Sequence, residues 1–183
     1  MSTHPLEVLK YCPKCGSAEF LTTGERSLKC ASCGFHFYIN SAAAVAALIS
    51  DRNGKLMLVT RGVEPDYGKL DLPGGFVDPL ESAEQAVRRE LEEELGLKVI
   101  NLEYLTSAPN EYVFSGFTVF TLDMAFVVQV ESTENLKPMD DILAYRFYSE
   151  EELDYDDIPA PSIKSFVEEY FRNRLNDQKS NDQ

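Results

Sequence analysis

Basic residues are scarce in this chain: 17 Lys and Arg stand against 31 Asp and Glu, a formal net charge of −14 over 183 residues. Nonspecific attraction to nucleic-acid backbones or anionic membranes is thereby disfavoured, and acidic sites for divalent cations are favoured. Long apolar runs are missing too. The longest, Ala42 to Ile49, falls far short of the ~20 residues that a membrane-spanning helix needs. The N-terminus lacks a positive region followed by an apolar core, so no membrane contact and a cytoplasmic location are expected. Compositional extremes are absent, at 44% hydrophobic and 26% charged residues, which excludes collagenous, mucin-like and wholly disordered chains. There is no internal repeat. At roughly 150 residues per domain, the length allows one medium domain with a small appendage.

Cysteine is rare but patterned. Cys12-Pro-Lys-Cys15 and Cys30-Ala-Ser-Cys33 form two CxxC pairs with 14 residues between them, each followed directly by a glycine, Gly16 or Gly34. Two such turns bring four thiolates into a tetrahedral shell with no open position, so the Zn²⁺ they suit is structural, and its binding folds a segment too short to build its own core. Two disulfides or a redox pair are the competing readings, disfavoured by the absent leader and by the presence of two pairs. The segment from about residue 10 to 36 resembles a zinc ribbon, with His36 a turn or packing histidine rather than a ligand. Over residues 1–40, Lys10, Lys14, Arg26 and Lys29 against Glu7, Glu19 and Glu25 leave +1. That is no basic patch, and no nucleic acid is expected as partner.

Beyond the ribbon, Ala43–Ile49 and Leu56–Arg61 read as strands joined at Asp51-Arg52-Asn53-Gly54, because Asn-Gly accepts the left-handed angles of a tight hairpin. Gly62 to Gly75 holds four glycines with Pro65 and Pro73, which predicts a surface loop of the kind that carries sites. Ser82 with Gln85 makes a capping box and Gly96 a stop, so a helix is expected from about Ala83 to Leu95 with the apolar ridge Ala83, Val87, Leu91, Leu95. Further strands are expected at Leu102–Thr106, Tyr112–Val130 (a bent hairpin) and Ala144–Tyr148, then a helix over Ser162–Leu175 and a disordered tail, 176–183. The domain reading is a ribbon over 1–38 and a second domain over 39–175.

That first long helix carries Glu90, Glu92, Glu93 and Glu94 within five positions. Like charges at i,i+4 cost about 0.2–0.5 kcal/mol each, and acids at a helix C-terminus oppose its dipole. Glu90 and Glu94 follow Ala86 in a row beside the apolar ridge, at the edge of the core, whereas Glu92 faces outward. Partly buried acids in such a row are tolerated when a cation neutralises them, and an all-oxygen set suits Mg²⁺ or Mn²⁺; for an acidic helix taken by itself, a solvated face is the competing reading.

Gly75, then Glu81, then Arg89-Glu90-Leu91-Glu92-Glu93-Glu94-Leu95-Gly96-Leu97 resembles the Nudix box at every defining position, and Leu72-Pro73-Gly74-Gly75 matches the usual approach to it. The resemblance to the Nudix hydrolases runs from about Ser41 to Leu175. It implies an α+β fold, an α/β/α sandwich around a mixed sheet, here preceded by the ribbon. Leu70 departs from it, since many members have tryptophan there. The resemblance further implies a Mg²⁺- or Mn²⁺-dependent hydrolase that cleaves the diphosphate of a nucleoside diphosphate linked to another moiety. Glu90, Glu93 and Glu94 would ligate the metal. Arg89 would orient the glutamates, Glu81 would brace the loop or serve a further ion through water, and Gly74 and Gly75 would admit metal and phosphate closely. The general base stays open among the box glutamates, Glu93 preferred, and Glu111, Asp140 or Asp141 outside the box. A homodimer is compatible with the family.

Substrate choice lies outside the box. A ribbon-bearing Nudix chain resembles the NADH pyrophosphatases, yet their tryptophan-containing Ser-Gln-Pro-Trp-Pro-Phe-Pro stretch is absent: the region reads Ser107-Ala108-Pro109-Asn110-Glu111-Tyr112-Val113-Phe114, and the chain has no Trp. A small-molecule substrate such as ADP-ribose or a related dinucleotide is expected. Tyr112 and Phe114 either stack on its base or pack as strand aromatics. Arg61 either meets a phosphate or marks an exposed strand end. A nucleotide-sensing module that uses the ribbon for partner contact is the alternative function.

Overall fold

The structure is a computed structural model that describes residues 2–134, 136–139 and 141–181, with residues 177–181 described by backbone alone. Its contacts divide the chain into two compact units, Met1–Ala42 with Glu111–Phe120, and Ala43–Asn110 with Thr121–Gln183. The expected division at residue 38 thus falls at Ala42, and the tip of a hairpin that the sequence reading placed in the second domain groups with the first unit.

In the first unit, helix α1 (Pro5–Val8) starts on a proline and is capped by His4, whose Nδ1 accepts the Leu6 N–H at 3.3 Å. Strands β1 (Phe20–Thr22), β2 (Ser27–Cys30) and β3 (His36–Tyr38) form an antiparallel sheet in that order, with Leu21 opposite Lys29 and Lys29 opposite His36. Side chains alternate across a strand. Phe20, Leu28 and Cys30 therefore turn inward onto Cys12, with Phe35 and Phe37 packed against them. So few apolar side chains make a core too small to hold a fold unaided.

The remaining elements, which apart from Ala42 and the 111–120 hairpin tip lie in the second unit, are β4 (Ala42–Leu48), β5 (Leu56–Arg61), β6 (Leu70–Asp71), β7 (Gly74–Phe76), α2 (Ala83–Leu95), β8 (Val99–Phe114), β9 (Phe117–Val130), β10 (Ile142–Tyr148) and α3 (Pro161–Asn181). One sheet has the order β7-β4-β9-β8, the other β10-β5-β6. Strand β4 is apolar on both faces, as a strand covered on both sides must be. Val45 and Ala47 pack with Val87, Leu91 and Leu95 of α2, whereas Ala46 and Leu48 pack with Phe166, Val167 and Phe171 of α3. The result is an α+β fold with α/β/α layering, as the box resemblance implies. No helix among the described residues is long and apolar enough to cross a membrane.

Helix α2 has the expected bounds, the Ser82–Gln85 capping box, and Gly96 in the left-handed conformation at its end. Several other elements differ. The chain does reverse at Asp51–Gly54, but β4 and β5 separate into different sheets after a single bridge, Ser50 to Leu56, because β4 already has β7 and β9 on its two edges. The glycine-rich stretch from Gly62 to Gly75 is not all loop: β6 and the start of β7 lie within it, paired to β5 and β4. Strand β8 starts at Val99 and ends at a tight turn where Ser115 and Gly116 both have positive φ. Helix α3 continues to Asn181, into the stretch expected to be disordered.

Candidate active site and metal centre

Helix α2 presents its acids at three depths. Glu94 is buried, Glu90 is half-buried and Glu93 keeps 54% of its side chain exposed. Glu94 Oε2 accepts the Gly74 N–H at 3.0 Å. Glu90 Oε1 and Glu93 Oε2 accept from the same Arg89 nitrogen, Nη1, at 2.8 and 3.1 Å. Each of the three glutamates thus commits one carboxylate oxygen to a protein donor, and among the described residues the other oxygen has no donor.

Arg89 is fully engaged. Besides Nη1, its Nε and Nη2 hold the two oxygens of Glu81 at 3.0 and 2.9 Å, and Nη2 reaches the Phe76 carbonyl at 3.0 Å. Glu81, then Glu90 and Glu93, keep the guanidinium protonated far above its ordinary range, while Arg89 pulls the Glu81 carboxyl below the usual carboxylate value. Glu81 also accepts the Asp78 N–H, so it braces the turn that enters α2.

Burial opposes ionisation. It pushes the Glu94 carboxyl up to about 8, against the lowering hydrogen bond from Gly74, and the charges of Glu90, Asp71 and Asp141 push the same way. Burial also raises Glu90, against the pull of Arg89. Gly74, at φ +145°, lies under the Val45 carbonyl, and a side chain at Gly75 would fall on the Glu90 carboxylate. The loop can come this close because it carries no Cβ. Oxygen donors only, clustered acids whose ionisation burial disfavours unless a cation balances it, and one open oxygen on each of three carboxylates fit a divalent cation such as Mg²⁺.

Arg61 ends β5, where Nη1 meets Asp71 Oδ2 at 2.6 Å and Nε meets the Pro65 carbonyl at 2.9 Å. The sequence reading missed Asp71, as well as buried Asp123, which accepts from Ser162 Oγ at 2.5 Å. Nothing local marks either one, since their partners lie 10 and 39 residues away. Asp141 stands at the end of β5, where its carbonyl accepts the Gly62 N–H. Asp140 lies outside the described residues. Glu111, Tyr112 and Phe114 belong to the first unit. There Phe114 is exposed rather than packed in a core, and Glu111 and Tyr112 line a cleft of about 460 Å³ with Ser2, Thr3, His4, Val113, Thr118 and Phe120.

In the first unit the four cysteines form one cluster, with every pair of sulfurs within 4.8 Å. Cys12 Sγ lies 3.7 Å from Cys33 Sγ, and Cys15 Sγ 3.6 Å from Cys30 Sγ. That is far too long for disulfides and close to the edge of about 3.8 Å of a tetrahedron with ~2.3 Å metal–sulfur bonds. The two CxxC turns are built alike: Gly16 N–H bonds the Cys12 carbonyl and Gly34 N–H that of Cys30, both glycines at φ +73°. Backbone N–H donation from Cys33 holds the Cys30 thiol down at about 7, toward the thiolate that a metal takes, whereas Cys15, against the lowering Ser17 N–H, is pushed up to about 12 by hydrogen bonding to Cys33. The set fits zinc. His36 is no part of it; it sits on β3, its ring tilted against that of Tyr38 with the centroids 4.4 Å apart.

A family model of the NUDIX domain matches residues 40–170. Among curated relatives, the NAD-capped RNA hydrolase NudC of Deinococcus radiodurans is 35% identical over 118 residues, 63% of this chain and 42% of that protein. The NAD-capped RNA hydrolase NudC of Escherichia coli is 31% identical over 150 residues, 82% of this chain and 53% of its own. The chain spans about half the length of the curated relatives it matches. Among solved structures, a NUDIX hydrolase from Nitrosomonas europaea superimposes with a TM-score of 0.68 at 24% identity, over 92% of this chain and 93% of that one. The NUDIX domain of Shewanella oneidensis NrtR, complexed with ADP ribose, gives 0.56 at 23% identity, over 75% and 90%. At that identity these two show the fold.

Proposed function

The chain belongs to the NUDIX domain family, and from that premise we propose that it is a divalent-metal-dependent pyrophosphohydrolase. It splits the diphosphate of a nucleoside diphosphate linked to a second moiety into a nucleoside monophosphate and a phosphorylated fragment. The observation that carries this reading is the set of three glutamates, each with one oxygen fixed by the protein and one open. A binding module has no need to keep all three.

Glu90, Glu93 and Glu94 would hold the Mg²⁺ or Mn²⁺, which supplies charge neutralisation at the diphosphate oxygens and orients water. Arg89 fixes Glu90 and Glu93 and, being saturated with acceptors, does not touch substrate. Gly74 fixes Glu94 through its N–H. A water oxygen bonds to one phosphorus as the bridging P–O bond breaks, and its proton passes to a carboxylate. Glu93, the most exposed of the three, is the preferred base. Arg61 contributes a positive charge for phosphate. The cysteine quartet would hold a structural zinc.

The curated relatives are named for a capped RNA, so the charge-based expectation of no nucleic-acid partner does not limit the substrate panel. The test is AMP release from ADP-ribose, NADH and an NAD-capped RNA oligomer, each with Mg²⁺ and with chelator. Mg²⁺-dependent AMP from at least one supports the proposal; none from any overturns it.

A further inference from the structure

Around the glutamates the charges are mostly negative, and a diphosphate approaching them needs a cation with a donor to give. Arg89 has none left, as described above. Arg88 is exposed, ties its Nη1 to the Val99 carbonyl at the start of β8, and among the described residues makes no bond to the 71–74 segment that holds Glu94. Arg61 is different. Its Nε and Nη1 are committed to the Pro65 carbonyl and Asp71, its side chain stays 26% exposed, and Nη2 has no acceptor among the described residues.

What fixes this guanidinium is Asp71, and Asp71 is fixed in turn by the segment that carries the site. Its Oδ2 takes Arg61 Nη1 at 2.6 Å, and its Oδ1 takes the Leu72 N–H at 2.8 Å. Two residues further on, the Gly74 N–H holds Glu94. Residues 71–74 therefore tie a cation at one end to a metal-ligand candidate at the other, over a span of backbone too short to flex much. Strand pairing locks the register as well: Val59 faces Asp71, and Thr60 faces Leu70. The pair is largely desolvated, which makes it costly to break and stiff in orientation.

Resting on the function proposed above, we infer that Asp71 is the positioning residue for Arg61, holding its guanidinium so that Nη2 donates to a phosphate oxygen of the substrate. Asp71 itself touches neither substrate nor metal. It acts by fixing where the one uncommitted N–H pair of Arg61 stands relative to Glu94.

Asp71→Asn is the first variant, because the amide keeps the acceptor for Leu72 N–H and the volume while it loses the charge. Arg61→Lys is the second, because it keeps a positive charge opposite Asp71 but loses the fork. With ADP-ribose as substrate at saturating Mg²⁺, each should raise KM by about tenfold to a hundredfold, the range of one lost charge-assisted hydrogen bond. kcat should change by less than KM does, and the Mg²⁺ half-saturation should stay put. The double variant Arg61→Lys/Asp71→Asn should be no worse than Arg61→Lys alone, since both remove one interaction. Circular dichroism and melting temperature report whether each variant is folded, and Arg61→Lys carries the test if Asp71→Asn is not. An unchanged KM in a folded variant, additive effects in the double variant, or a shift confined to Mg²⁺ affinity overturns the inference while leaving the pyrophosphohydrolase reading intact. A wild-type protein that neither binds nor cleaves ADP-ribose overturns it too; if NADH and the capped RNA also resist cleavage, the functional reading fails with it.

Discussion

Gly75 lies so close to Glu90 that a Cβ at position 75 would stand 2.5 Å from Oε1 and 2.7 Å from Cδ of that carboxylate. The glycine is there to leave room for an acid, not to turn the chain. Its neighbour Gly74 differs in kind, because a side chain there would collide with the Val45 carbonyl and would also have to adopt φ +145°.

The two glycines should therefore fail differently. In Gly75→Ala the clash falls on the end of a flexible side chain, so Glu90 moves and the fold stays. Stability should change by less than about 1 kcal/mol, and kcat should drop at least about tenfold. In Gly74→Ala the clash falls on backbone, and the loss should be about 2 kcal/mol or more in stability. Thermal melts alongside steady-state kinetics separate the two; equal loss of stability in both would contradict the reading of Gly75.

The helix and its acids were legible in the sequence because their determinants are local. The Ser82–Gln85 box, the Gly96 stop and the Arg89–Glu93 pair all lie within one or two turns. What was not legible depends on distant partners. Asp71 acquires its meaning from Arg61 across two strands, and Asp123 from Ser162 at the start of α3. Likewise, no pattern within 43–61 says that β4 will take β7 and β9 as neighbours and leave β5 to another sheet. The tie from Glu81 to Arg89 lies between these cases, readable as a motif but not as geometry.

Glu94→Gln should abolish turnover without unfolding the protein. The amide oxygen still accepts the Gly74 N–H, but the charge that a divalent cation needs is gone, so kcat should fall by about 100-fold or more. In chelator at pH 8 the melting temperature should be no lower than that of the wild type, because a buried acid and its repulsion from Glu90 are both removed. Near wild-type turnover at saturating Mg²⁺ would remove Glu94 from the metal site.

Stability in the absence of metal should fall as the pH rises. The folded-state carboxyl of Glu94 is raised from an ordinary 4.5 to about 8, and Glu90 is raised in the same direction. A group that binds its proton more tightly when folded contributes stability that is fully present below its unfolded value and is lost as pH rises through its folded one. The melting temperature in chelator should therefore decline from about pH 5 to pH 8. Saturating Mg²⁺ should flatten that decline by taking the proton's place, and Glu94→Gln should flatten it without Mg²⁺. A slope that neither treatment changes would mean that other groups set it.

The ribbon should depend on zinc in a way that the second unit does not. Its core is a handful of side chains, two of them the cysteines Cys12 and Cys30 themselves, so the metal–thiolate bonds must supply most of what folds it. The second unit has its own two apolar clusters on α2 and α3 and needs no such help. Protein purified in reducing buffer without chelator should carry about one zinc per chain, as a single closed four-cysteine shell requires. Cys30→Ser should lower that content and abolish amide-exchange protection in β1, β2 and β3, while β4, β5 and α2 exchange as in the wild type. Hydrogen exchange read by mass spectrometry resolves these segments. Protected ribbon strands in a zinc-free protein would show that the side-chain core suffices, and loss of protection in α2 as well would show that the two units do not fold independently.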